Sequence, residues 1–202
     1  MIKNLNASRG HIRFRSSEDA KDQNNLNNAL QSRLNNKGKL IRAAVLVPII
    51  IRDNGLHILL TKRNENLKNH AGQISFPGGR VDDTDRDAQH TALRETQEEI
   101  GLKPRLIKVI GELDQYVVGT GYLVNPFVGV IKPPFELIRQ EDEVSEIFEV
   151  PLDFLINPAN FTRYARMFNG ETYYHHAITW ENYFIWGATA GMLRNLSHRL
   201  LY

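Results

Sequence analysis

A chain of 202 residues, 42% hydrophobic and 24% charged, can bury one sizeable core and is short for two. Its net charge of +2 gives no general attraction to nucleic acid, and no apolar run approaches the roughly 20 residues that cross a bilayer, so neither partner is expected. With no cysteine, disulfides, cysteine metal sites and thiol nucleophiles are excluded.

The first residues, MIKNLNASRGHIRFRSS, lack the apolar core of a secretory signal, and a cytoplasmic location is the expectation. Residues 1–40 read as a polar, basic extension. Within it, Ser17 to Leu34 can form a helix with a sparse stripe of Ala20, Leu26, Ala29, Leu30 and Leu34, weakened by its many Asn residues. Residues 41–202 read as the folded domain. Its first runs, AAVLVPIII and LHILLTKR, are apolar and rich in Ile, Val and Leu. They are separated by Asp53-Asn54-Gly55, a strong hairpin signal.

Asn64 to Gly79 reads as a loop ending in Phe76-Pro77-Gly78-Gly79. Asp87 to Ile100 reads as a helix stopped by Gly101. Strands are expected at Leu106 to Ile110, Gln115 to Val118, Asn125 to Ile131 and Thr172 to Ile178. Val144 to Ile156 contains the Pro151 break and a short helix, and Trp186 to Leu201 reads as a C-terminal helix. Strands, a helix and further strands in that order predict an α/β fold with a mixed sheet between helices.

The helix at Asp87 to Ile100 carries the chemistry. At about 100° per residue, Glu95, Glu98 and Glu99 share a sector roughly 100° wide, with Leu93 and Ile100 nearly opposite. Three carboxylates so placed repel one another, and a hard cation such as Mg²⁺ or Mn²⁺ would relieve the repulsion. Arg94 stands four residues before Glu98 and can brace it. A lone ExxEE is more often a solvated acidic face. Here it follows Gly78 and Gly79, where backbone can approach a ligand closely, and the acidic residues Asp82, Asp83 and Asp85.

Gly79, Asp85 and the run Arg94-Glu95-Thr96-Gln97-Glu98-Glu99-Ile100-Gly101-Leu102 resemble the Nudix box, G-x5-E-x7-RE-U-x-EE-x-G-U, with U apolar. Three features depart from it. Asp85 stands for Glu, one extra residue separates it from Arg94, and Thr96 stands for an apolar residue. Upstream, Leu59 to Gly79 is similar to the signature LLTxRS-x2-LR-x-H-x-G-x3-FPGG of the coenzyme A pyrophosphatase branch, with Asn64 for Ser and Lys68 for Arg. Downstream, Asp142-Glu143-Val144, Phe148 to Leu152 and Tyr183 to Gly191 also resemble that branch.

The resemblance implies a Nudix-type α/β/α sandwich. It implies hydrolysis of coenzyme A, or of an acyl derivative, to 3′,5′-adenosine bisphosphate and 4′-phosphopantetheine. Glu95, Glu98 and Glu99 would then hold Mg²⁺ or Mn²⁺, with Arg94 and Glu143 completing the catalytic group. Arg63, Lys68, His70, Gly78 and Gly79 would bind substrate.

Glu143 belongs to a second acidic cluster with Glu141, Asp142 and Glu146, any of which can be a plain solvated charge. Arg63, Lys68 and His70 can equally be surface charges beside a loop. Trp180, Tyr183, Phe184 and Trp186 read better as packing than as a stack for adenine, and the neighbours His175 and His176 point to opposite faces of a strand. Three alternatives stay open: a Nudix hydrolase for ADP-ribose or a dinucleotide, a catalytically silent nucleotide- or protein-binding domain, and an acidic-helix protein with no ligand. The expected partner is a small nucleotide, and a homodimer is possible.

Overall fold

In the computed structural model the described residues are 40–168 and 171–201. The helix expected at Ser17 to Leu34, with the rest of the N-terminal extension, lies outside them.

The Asp53-Asn54 turn closes a hairpin between β1 (Ile41–Arg52) and β2 (Gly55–Arg63), in register from Ile49↔Ile58 to Arg52↔Gly55. Beyond that register β1 and β2 diverge. The fork between them is filled by β3 (Ile74–Ser75), paired with the end of β2, and β4 (Gly78–Arg80), paired with Ala43 to Val45 of β1. The segment expected as loop therefore contributes two short strands. On its other edge β1 runs parallel to β7 (Tyr122–Ile131) over ten residue pairs. The remaining strands are β5 (Ile107–Glu112) and β6 (Tyr116–Val118) against β7, and β8 (Val144–Pro151) against β2, all antiparallel. The sheet is mixed, as expected.

Alternation along β1 builds both cores. Ala43, Val47 and Ile49 face one side; Ala44, Leu46 and Ile50 face the other, all buried. Helix α1 (Ala88–Ile100) covers the second side with Ala88, Ala92 and Ile100. The first side is covered by α2 (Leu152–Ile156) and α3 (Ala188–Leu201), through Leu155, Leu193, Leu196 and Leu200. The result is the α/β/α sandwich. Helix α3 is tied down by Asp114, which takes Arg199 at 2.6 Å and the Asn195 amide at 2.7 Å.

The C-terminal region differs from expectation in detail. Pro151 ends β8 and caps α2, so the Val144 to Ile156 run divides into strand and helix there. The last helix starts at Ala188; Tyr183–Trp186 is a strand, β11. It joins β10 (Glu171–Trp180) and the unanticipated β9 (Thr162–Phe168) in a separate three-stranded sheet. Tyr183 stacks on Phe148 at 3.8 Å and Trp180 meets Phe154 edge-on, so both aromatics pack as expected. Trp186 is half-buried, and Phe184 is exposed against Tyr164.

Helix α1 ends at Gly101, whose φ of 71° lets its N–H reach Gln97 O. A side chain there would press on Ile138 Cβ at 2.9 Å, in the segment whose Ile138 and Gln140 amides bond Ile100 O and Glu99 O. Gly101→Ala should therefore lower stability by at least about 1–2 kcal/mol, read as a drop in the urea midpoint. An unchanged midpoint would contradict this account of the helix end.

Candidate active site

The site forms where α1 crosses the glycines of β4. Gly78 has φ 153°, and a side chain on it would strike Ala44 O and the Val45 backbone. At Gly79 the position a Cβ would take is already filled by the Glu95 carboxylate. Helix and strand thus approach closely only because Gly78 and Gly79 lack side chains. Asp87 caps the helix by accepting from His90 N at 2.7 Å.

The three glutamates of the shared sector differ in exposure. Glu99 is turned inward, only 4% exposed, and its Oε2 accepts from Gly78 N–H at 3.3 Å. Glu95 has a side chain 16% exposed, and Glu98 one 57% exposed. The acidic set therefore grades from buried to solvated. Leu93, placed opposite, is half-buried against the α1-side core.

Charge follows burial. Loss of water pushes the Glu99 carboxyl up to about 8, with Glu95 and Glu143 adding repulsion against the favourable Gly78 N–H and Arg63. Burial likewise raises the Glu95 carboxyl, Glu98 and Glu143 contributing, while Arg94 opposes.

Arg94 holds the set in place. Its Nε and one terminal nitrogen grip Asp85 at 2.9 Å each; the other terminal nitrogen meets Glu95 at 3.0 Å and Glu98 at 2.8 Å. It also donates to Arg80 O. The expected brace on Glu98 is present, and the same guanidinium reaches all three acids.

Asp85 is the counterweight. Its side chain is fully buried and also accepts from Thr91 Oγ1, at 2.8 Å, and Asp82 N–H, at 2.9 Å, with His90 Nδ1 2.8 Å away. Asp85 N–H closes a turn on Asp82 O, and the Asp85 carboxylate still meets Arg94 across the extra residue that separates the two. Thr96 sits in the apolar position because its hydroxyl is spent on Ala92 O at 2.6 Å.

Of the other expected residues, Arg63 and Glu143 come to the cluster. Arg63 ends β2, half-buried, with a buried Nε that has no partner among the described residues, and its charge reaches Glu99. Glu143 is exposed on the turn before β8, and its charge reaches both Glu95 and Glu99. Glu146 instead accepts from Tyr183 OH. Lys68 and His70 stand on the exposed 64–73 loop, His70 with φ 58° and Nδ1 2.8 Å from Gln73 Oε1; no described contact joins either to the carboxylates. A pocket of about 310 Å³ lies beside Glu95 and Arg94, lined also by Arg80, Val81, Asp82 and Asp83.

The donor set suits a hard divalent cation in kind: carboxylate oxygens, two of them poorly hydrated and repelling each other. Among the described residues no three such side chains converge into a closed cage.

The chain matches the NUDIX domain over residues 40–168. It is 42% identical over 156 residues to the uncharacterized Nudix hydrolase NudL of Escherichia coli K12, covering 77% of this chain and 81% of that protein. NudL of the O7:K1 strain matches equally. Among solved structures, the Caenorhabditis elegans Ap4A hydrolase binary complex gives a TM-score of 0.48 at 20% identity, over 55% of this chain and 80% of that one.

Arg94 holds the Asp85 carboxyl well below the ordinary carboxylate range. Because the folded pKa lies below the unfolded one, the pair's stabilisation is complete above about pH 4 and is lost as pH falls below it. Asp85→Asn should cost about 3 kcal/mol at pH 7. The gap to the unsubstituted protein should shrink below about pH 4 in urea titrations. A gap that is constant from neutral to strongly acidic pH would refute this ion pair's role.

Proposed function

The chain belongs to the Nudix hydrolase family, whose members act on nucleoside diphosphate derivatives with divalent metal ions; on that premise we propose that it is an active pyrophosphohydrolase cutting the diphosphate of coenzyme A or acyl-coenzyme A. The observation that carries the reading is the meeting of two sequence signatures at one place. Buried Glu99 feels the charge of Glu95 from the box and of Arg63 from the LLTKR…FPGG segment. The general box requires the first and not the second.

In this reading Glu95, Glu98 and Glu99 hold Mg²⁺ or Mn²⁺. When bound, such an ion neutralises the diphosphate and lowers the pKa of a water. Arg94 keeps Glu95 and Glu98 oriented, and the Gly78 N–H holds Glu99. The glycines of β4, expected to bind substrate, instead seat Glu95 and Glu99 against the strand, the space beside them being filled by Glu95 and by the Ala44–Val45 backbone. Arg63 supplies a planar cation for a phosphate group, its Nε already desolvated and still lacking an acceptor among the described residues. Glu143 takes the proton from the attacking water, placed close enough for its charge to be felt at Glu95 and Glu99. The products are 3′,5′-adenosine bisphosphate and 4′-phosphopantetheine. Positioning and charge stabilisation supply most of the acceleration, as in other phosphoryl transfers. Lys68 and His70 remain candidates for the outer part of the substrate only.

Glu98→Gln tests the metal assignment, since Glu98 is the most exposed of the three and its loss costs the fold little. Turnover should nearly vanish while the melting temperature stays within a few degrees. Normal turnover in this variant, or full activity in excess EDTA, would overturn the assignment.

A substrate panel with Mg²⁺ or Mn²⁺ tests the rest. One charged hydrogen bond to the 3′-phosphate is worth roughly 1.5–3 kcal/mol, about ten- to a hundredfold in specificity. Coenzyme A should beat 3′-dephospho-coenzyme A by that factor in kcat/KM, and Arg63→Ala should shrink the gap. Preference for ADP-ribose over both would remove coenzyme A and keep the family chemistry. Nucleotide binding without any hydrolysis would establish a silent domain instead.

A further inference from the structure

Glu143 sits on an exposed turn, yet two independent elements hold that turn. On one side Gln140 N–H donates to Glu99 O at 2.9 Å, tying the turn to the end of α1. On the other side it is tied to the end of β2 by Asn64. The Asn64 backbone N–H donates to Glu143 O at 2.9 Å, and its side-chain amide donates to Glu141 O at 2.7 Å. The same side chain is locked in orientation, because its Oδ1 accepts from Asn66 N–H at 2.9 Å. Ser145 Oγ closes the seam with bonds to the Lys62 and Arg63 carbonyls at 3.0 and 3.3 Å.

We propose that Asn64 is a positioning residue that clasps the 141–143 turn to the end of β2 and so sets where the Glu143 carboxylate stands relative to Glu95 and Glu99. Asn64 follows Arg63 directly, so one short stretch of backbone aims both the phosphate-binding cation and the proton acceptor. An exposed turn without such a clasp would spread its carboxylate over several orientations, and a small displacement of a reacting group is costly in rate. The arrangement asks for an amide: one end must donate to a carbonyl while the other accepts from an N–H. The inference rests on the role given above to Glu143.

The test compares Asn64→Ala, Asn64→Ser and Glu143→Gln, singly and with Asn64→Ala and Glu143→Gln combined. The assay uses coenzyme A with Mg²⁺, or the diphosphate of the panel that is cut fastest. Asn64→Ala should lower kcat about tenfold, the worth of one well-aligned hydrogen bond, with KM changed less than about twofold and the melting temperature within a few degrees. Asn64→Ser, whose shorter side chain still offers a hydroxyl able to accept from the Asn66 N–H, should recover part of the loss. Combined with Glu143→Gln, the alanine variant should cause no additional loss, because both act through one group. Additive losses, a fall confined to KM, or unchanged kcat in Asn64→Ala while Glu143→Gln is impaired would each overturn the clasp. Full activity of Glu143→Gln would instead remove the role given to Glu143, and with it the basis of this inference.

Discussion

The arrangement depends on the close contact between α1 and the Gly78-Gly79 strand. Without side chains at Gly78 and Gly79, the helix settles deep enough that Glu99 loses its water and Glu95 lies directly on the backbone. Desolvation of two neighbouring acids is unfavourable on its own, since burial and mutual repulsion both oppose their charge. A divalent cation reverses the sign of both effects. The glycines are therefore as much a part of the electrostatics as the glutamates are.

A second constraint keeps the acids from collapsing or splaying. Arg94 is bound on one side by Asp85, and only with that side fixed can its far edge serve Glu95 and Glu98 at once. A rigid planar guanidinium can bridge three carboxylates in this way; a lysine ammonium on a flexible stem would not preserve the geometry. Despite the shorter acid and the extra residue before Arg94, the Asp85 carboxylate is held by the Asp82 amide on one side and by the guanidinium on the other.

What the sequence revealed was local. The β1–β2 hairpin followed from Asn54-Gly55, and α1 with its ends followed from Asp87 and Gly101, because such signals act within a few residues. The acidic helix was legible for the same reason. The inward turn of Glu99 was not, since it depends on which strand lies beneath the helix. The fork that turns Ile74–Arg80 into two strands was also hidden, because it is created by the divergence of β1 and β2. Lys68 and His70 shared a motif with Arg63, but motif adjacency does not fix distance across a loop. Strand β9 was legible in Asn169-Gly170, a hairpin signal directly before β10, whereas β11 sits beside Trp186 and Gly187, where its short apolar run also reads as the start of a helix. Asn64 was visible as an irregular letter, and its hydrogen bonds to a turn some eighty residues away only in three dimensions.

The parallel pairing of β1 with β7 has a consequence for the order of assembly. It joins Ile41–Ile50 to Tyr122–Ile131, closing a loop of roughly eighty residues that contains the glycine strand and the whole of α1. Helix and hairpin can form early from near neighbours, but the floor on which the acids rest is completed only when the distant strand arrives. A nascent chain that stops short of residue 131 carries every glutamate of the box and still lacks the end of β7 and the Ile138–Gln140 segment that bonds the end of α1. Competence for chemistry is thus acquired late and together with the global fold, not inherited from the motif.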